Sequence, residues 1–213
     1  MCALQTLRLL KRDEPVLRES AKSALPLDDR DHEALCKEVF AWYGSAAYYA
    51  QCIEVELIIA RLFLARLRNP EVPPEELDRI DREKKTMGQL LKLVGADLKD
   101  DEAALLNACL ENRNFLVHDY WYQRRESLLT VEGCQRAASE LQEMSARLKQ
   151  GNAVAEEMSR RIRARLGISD EMVHNLYAEF HDALRSGDSR EVISDRLRAI
   201  LQSPPRGAGS EHD

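Results

Sequence analysis

The chain has 213 residues, with 31 Lys and Arg against 37 Asp and Glu, giving a formal net charge of -6. That balance excludes a global basic field for gripping long nucleic acid and leaves room only for a local basic site. Nine glycines and seven prolines are few, and Leu, Ala, Glu and Arg dominate, which predicts an all-α protein.

Residues 1–30 carry Pro15 and Pro26 as breaks and read as an N-terminal arm. A long helical pattern begins at Asp31 and runs to about Arg68, with a bend expected at Gly44-Ser45. Its second half, Tyr48 to Leu67, is apolar on much of its circumference and reads as a central helix. Asn69 to Pro74 ends it. Pro74 followed by Glu75 and Glu76 then starts a second helix, in one piece or two, that reaches Val94, with Gly95 as its C-cap.

A third helix is predicted from Asp100 or Asp101 through Arg125, and a fourth from Val131 to about Arg165 with Thr130 as its cap. Gly151-Asn152 is a place where the fourth can kink or split. Ser169-Asp-Glu and the capping box Asp188-Ser-Arg-Glu191 begin the two helices of a C-terminal hairpin. The predicted organisation is therefore an arm at 1–30, a helical bundle at 31–168, a helical hairpin at 169–203 and a polar tail at 204–213. No internal repeat and no sustained heptad pattern is read.

The five cysteines, Cys2, Cys36, Cys52, Cys109 and Cys134, form no CxxC pair. They read as small apolar residues in a reducing compartment, with no histidine at ligand spacing, so neither disulfides nor a zinc site is expected. Asp170, His174 and His181 make no convincing metal set, and no Gly-rich phosphate loop is present. No metal or cofactor is expected. The first residues are too interrupted for a secretory signal, and the most apolar run, Ala46 to Leu67, contains Gln51, Glu54, Glu56, Arg61 and Arg66. A cytoplasmic protein without membrane partners is the expectation.

The third helix carries the most informative stretch, Arg113-Asn-Phe-Leu-Val-His118-Asp-Tyr120. A fixed positive charge near a group that titrates close to neutrality suits phosphodiester chemistry. Spacing alone is weak, since Arg206 also precedes His212 in the polar tail. On a continuous α-helix Arg113 and His118 stand about 140° apart. Asn114, His118 and Trp121 would then share one face, and Arg113, Val117 and Tyr120 another. Leu106, Cys109 and Leu110 make the Arg113 face apolar, so its charge needs a partner, with Glu54 or Glu56 as candidates. Convergence of Arg113 and His118 on one ligand needs a local break in the helix or a second copy of the motif.

Arg113, polar Asn114, three further residues and His118 resemble the signature of the HEPN superfamily, helical bundles of toxins, RNA-processing factors and phage-defence proteins. The order of helices over residues 31–166 is also similar to that family's. His118-Asp-Tyr120 resembles the His-x-Tyr extension of the toxin branch paired with nucleotidyltransferase antitoxins, in which the tyrosine can be adenylylated. The resemblance implies an antiparallel HEPN-like bundle, a homodimer with facing motifs, and metal-independent cleavage of RNA by a toxin or defence component. It implies catalytic roles for Arg113, Asn114 and His118, and a site-lining or modified Tyr120. Trp121 offers a surface for stacking bases, and Arg124 and Arg125 offer charges for backbone phosphates. The same family includes members that bind without cleaving, so a helical interaction or regulatory protein is the second reading.

Overall fold

The computed structural model describes residues 29–175 together with residues 178 and 185. Among the described residues there are six α-helices and no strand, so the expectation of an all-α chain holds. The arm at 1–30, apart from its last two positions, which begin the first helix, the hairpin beyond residue 175, apart from residues 178 and 185, and the tail at 204–213 lie outside the described residues.

Helix α1 spans Asp29–Arg68 as one unbroken element of 40 residues, with Arg66 and Arg68 suitably placed at its negative end. Gly44 does not bend it into a break. The predicted second helix is two pieces. α2, Pro74–Arg82, begins on the proline with Glu75 and Glu76 in its first turn. α3, Met87–Val94, begins on a reciprocal capping box, in which Thr86 Oγ1 accepts from Gln89 N and Thr86 N donates to Gln89 Oε1. Gly95 keeps a right-handed backbone and opens a 3-10 turn, Gly95–Asp97, instead of a left-handed cap.

The predicted third helix is a composite. α4 runs Asp100–Asn114, a π turn covers Phe115–Asp119, α5 covers Tyr120–Arg124, and a 3-10 stretch covers Arg125–Leu129. α6, Val131–Ala164, starts on Thr130, whose Oγ1 accepts from Gly133 N at 3.0 Å. α6 passes through Gly151-Asn152 without splitting. It ends in a Schellman arrangement: Gly167 has φ 73°, Gly167 N donates to Ala164 O, and Ile168 N donates to Arg163 O. Ser169 then caps the next turn by accepting from Met172 N.

α1 and α6 pack antiparallel along most of their length and form the spine. Their buried positions step by fours and threes: Ala46, Ala50, Ile53, Leu57, Ala60 and Leu64 on α1 answer Ala138, Leu141, Ser145, Leu148, Gly151, Ala155, Met158 and Ile162 on α6. The seam is thus heptad-like, although the sequence hides it, because many of its members are Ala, Ser or Gly. Small side chains let the helices approach, and Ser45 Oγ lies 2.8 Å from Ser145 Oγ across the seam. Leu90 and Val94 of α3, Leu106 and Cys109 of α4, Leu116 and Tyr120 complete one core. Among the described residues no helix is long and apolar enough to cross a membrane.

Candidate functional site

The Arg113–Tyr120 segment lies against α1 and is not a continuous α-helix. Tyr120 N donates to Phe115 O, five residues back, where an α-helix would bond four back. A π turn takes more residues per revolution, so the angle from Arg113 to His118 falls well below the roughly 140° of an unbroken α-helix. The segment therefore departs from the continuous helix on which the two faces were assigned. Tyr43 of α1 donates its hydroxyl to Leu116 O within this turn at 3.3 Å, satisfying a carbonyl that the irregular turn displaces.

The faces assigned on a continuous helix are rearranged. Arg113 is half-buried, Val117 is exposed and Tyr120 is completely buried, so the three do not share one environment. Arg113 Nε donates to Glu54 Oε1 at 2.9 Å, and Nη1 donates to Asn114 Oδ1 at 3.3 Å. Glu54 is therefore the carboxylate partner, as one of the two candidates. Glu56, the other, turns toward α6, where burial raises its carboxyl above the usual range. These contacts engage two of the five guanidinium N–H groups, and the side chain keeps 27% exposure, so donors remain for an incoming oxyanion. Asn114 and His118 are both exposed.

The other aromatic and basic residues take different places. Tyr120 is fully buried and donates its hydroxyl to Ala137 O at 3.3 Å. Burial pushes its phenol up to about 12. The expectation that Tyr120 lines a site or is modified meets a hydroxyl closed inside the core. Trp121 is half-buried, with its ring 5.2 Å from Phe40 and 5.0 Å from Tyr43. Arg124 is held by Glu140 through two bonds of 2.9 and 3.0 Å and lies over the Phe115 ring. Its planar fork is matched to a carboxylate already in the protein. Arg125 is exposed.

Two features escape the sequence reading. Phe40, Tyr48 and Val55 fall within about 80° on α1 and are each more than half exposed. Phe40 also meets the Trp121 ring, and Val117, next to His118 in the chain, is more than half exposed as well. Exposed large apolar residues in series mark a surface for association. The second feature corrects the reading of the cysteines: His32 stands one helical turn before Cys36, and both meet Cys134 at the start of α6. Neighbouring turns of one helix are a standard spacing for ligands, and the i, i+4 pair is visible in the sequence.

No family model, curated protein or solved structure matches the chain.

Proposed function

We propose that this chain is a metal-independent endoribonuclease of the HEPN type whose site is completed by a second copy of itself. The observation that supports the reading is the π turn Phe115–Asp119, an irregular turn that carries an exposed His118 five residues after the half-buried Arg113. The residues suit in-line cleavage by the neighbouring ribose. One imidazole takes the 2'-hydroxyl proton as O2' attacks phosphorus. The P–O5' bond breaks, and an imidazolium supplies a proton to the leaving oxygen, giving a 2',3'-cyclic phosphate and a 5'-hydroxyl. A single His118 cannot be base and acid in the same instant, and a second copy brings the other. Arg113, oriented by Glu54 and Asn114, stabilises charge on the phosphoryl oxygens. Asn114 adds a neutral hydrogen-bonding group. Tyr120 in this proposal holds the helix by packing and does not touch RNA. As a toxin or defence component, such an enzyme would be restrained by an antitoxin, with a nucleotidyltransferase as the partner that the resemblance implies.

The test is cleavage of a mixed RNA pool in EDTA by wild type, His118→Ala and Arg113→Gln. His118→Ala replaces an exposed side chain, so its fold is expected to match wild type. Loss of at least about a hundredfold in rate, with cyclic-phosphate ends in the wild-type products, is expected. Equal activity in all three proteins would assign the cleavage to a contaminant.

A second reading is a non-catalytic helical interaction or regulatory protein. It is favoured by the internal neutralisation of Arg113 by Glu54 and Arg124 by Glu140, together with the net charge of -6. It predicts no cleavage of any RNA by wild type and an unchanged cellular phenotype in His118→Ala.

A further inference from the structure

His32 and Cys36 lie one turn apart near the start of α1, and Cys134 lies in the first turn of α6. Cys36 Sγ is 3.7 Å from His32 Nε2 and 3.5 Å from Cys134 Sγ, and all three donor atoms fall within 4.8 Å of one another. A tetrahedral Zn2+ with bonds of about 2.3 Å to sulfur and about 2.0 Å to nitrogen separates its ligands by about 3.5–3.8 Å. Two edges of the observed triangle already have that length. Cys134 is buried, while His32 and Cys36 are half-buried, so the cluster opens to solvent on one side.

We propose that His32, Cys36 and Cys134 form a three-ligand site for a thiophilic divalent cation, with zinc as the fitting ion. Two sulfurs and an imidazole are a soft donor set that disfavours magnesium and calcium. Three protein donors leave the fourth tetrahedral position to water or a small ligand. Loading is balanced in protons: Zn2+ displaces one proton from each thiol, and the imidazole binds through Nε2 with its own proton moved to Nδ1. Burial pushes the Cys134 thiol up to about 11, and the adjacent Cys36 adds to this. Cys134 is therefore a poor thiolate until a cation arrives.

The site does more than join two helix starts. His32 Nε2 lies 2.9 Å from Leu128 O, and the Cys36 and Cys134 thiols face the carbonyls of Leu128 and Ser127. These carbonyls belong to the 3-10 stretch Arg125–Leu129, which leads away from α5 and the Arg113–His118 segment. Metal loading removes the donors those carbonyls accept from, so the stretch must readjust when the ion binds. The cation thus fastens α1 to α6 and resets the turn between α5 and α6. The inference does not depend on RNA cleavage, which is tested without metal.

The experiment uses the untagged full chain, reduced with a phosphine and freed of metal. Cobalt(II) titration should give thiolate-to-cobalt charge transfer in the near ultraviolet and tetrahedral d–d bands at one equivalent, and zinc should bleach both. Cys36→Ser, Cys134→Ser and His32→Gln should each weaken zinc binding at least about tenfold in competition with a chromophoric chelator. Cys52→Ser, outside the cluster, should bind as wild type does. Zinc should raise the melting temperature of wild type and of Cys52→Ser, and leave that of Cys36→Ser unmoved. Circular dichroism identifies any variant that fails to fold, and the remaining two ligand variants then decide. Absence of charge-transfer bands in wild type, or the same bands in all three ligand variants, would overturn the proposal. So would a chain that binds no cobalt and instead closes a Cys36–Cys134 disulfide in air.

Discussion

Arg113 of α4 and Glu54 of α1 are joined by an Nε–Oε1 bond of 2.9 Å, with the two side chains 27% and 28% exposed. The contact fixes the guanidinium on the face of α1 and ties the Arg113–His118 segment to the central helix. A pair this accessible keeps much of its hydration, so its net worth is closer to that of a surface pair than of a buried one. In a double-mutant cycle, Arg113→Ala and Glu54→Ala should show a coupling of about 1 kcal/mol by urea denaturation. Additive losses would mean that Glu54 does not hold Arg113 in solution. If RNA is the substrate, Glu54→Gln should alter turnover more than stability, because it leaves the guanidinium in place but less firmly oriented.

Gly151 sits where α6 crosses α4. A Cβ on it would stand 2.4 Å from Cys109 Sγ and 3.2 Å from Ile53 Cδ1. All three residues are buried, and Cys109 Sγ also faces Arg147 O. Gly151→Ala should gain helix propensity of about 1 kcal/mol yet lose more through overpacking, for a net destabilisation of about 1–2 kcal/mol. Cys109→Ala removes the obstructing sulfur. The double variant Gly151→Ala with Cys109→Ala should therefore be more stable than the sum of the single changes. Strict additivity in thermal or urea unfolding would show that the two helices do not approach as described.

Glu102 is a buried carboxylate that accepts from Arg161 Nη1 and Nη2 at 2.9 and 2.7 Å and from Lys99 N at 3.0 Å. The Arg161 bonds, foremost, bring its carboxyl down to about 2. A depressed folded-state value stabilises the fold where the carboxylate is ionised. The contribution is complete above the ordinary carboxylate range and is lost as pH falls from about 5 toward about 2. Glu102→Gln should lower stability at pH 7 by about 1–3 kcal/mol and flatten the acid limb of the stability profile. An acid limb identical to that of wild type would remove Glu102 from the account.

What the sequence made legible follows from where each feature is encoded. Helix starts were readable because a few local residues make them: Pro74 with Glu75 and Glu76, Thr130 before α6, Ser169 before the last described turn. The Arg113 partner was narrowed to two glutamates by the cost of an isolated charge on an apolar stripe. The choice of Glu54 depends on the rotation of α1 against α4, which no local pattern states. The antiparallel bundle is legible, but the heptad-like pattern of its α1–α6 seam is not, because Ala46, Ala50, Ala60, Ser145 and Ala155 carry it and small residues add little to a hydrophobic pattern. The π turn is not legible in the sequence because neither glycine nor proline marks Phe115–Asp119. That one irregular turn sends Val117 outward and Tyr120 inward, and so decided which residues of the segment face solvent. The His32–Cys36 pair was readable at i, i+4, but its third member lies 98 residues away.

Phe40, Tyr48, Val55 and Val117 are exposed on α1 and on the segment that carries His118. A cyclic dimer brings the same patch of each copy together, so covering this stripe would set two His118 side chains at one interface. Light scattering should give about twice the chain mass at micromolar concentration, in keeping with the interface sizes of stable pairs. Tyr48→Glu introduces two charges facing each other across the two-fold axis and should yield monomers. It touches neither Arg113 nor His118, so any RNA cleavage should fall with the dimer population and recover at high protein concentration. A wild-type monomer at all concentrations would sink the shared site. A Tyr48→Glu dimer of unchanged affinity would move the interface to another face.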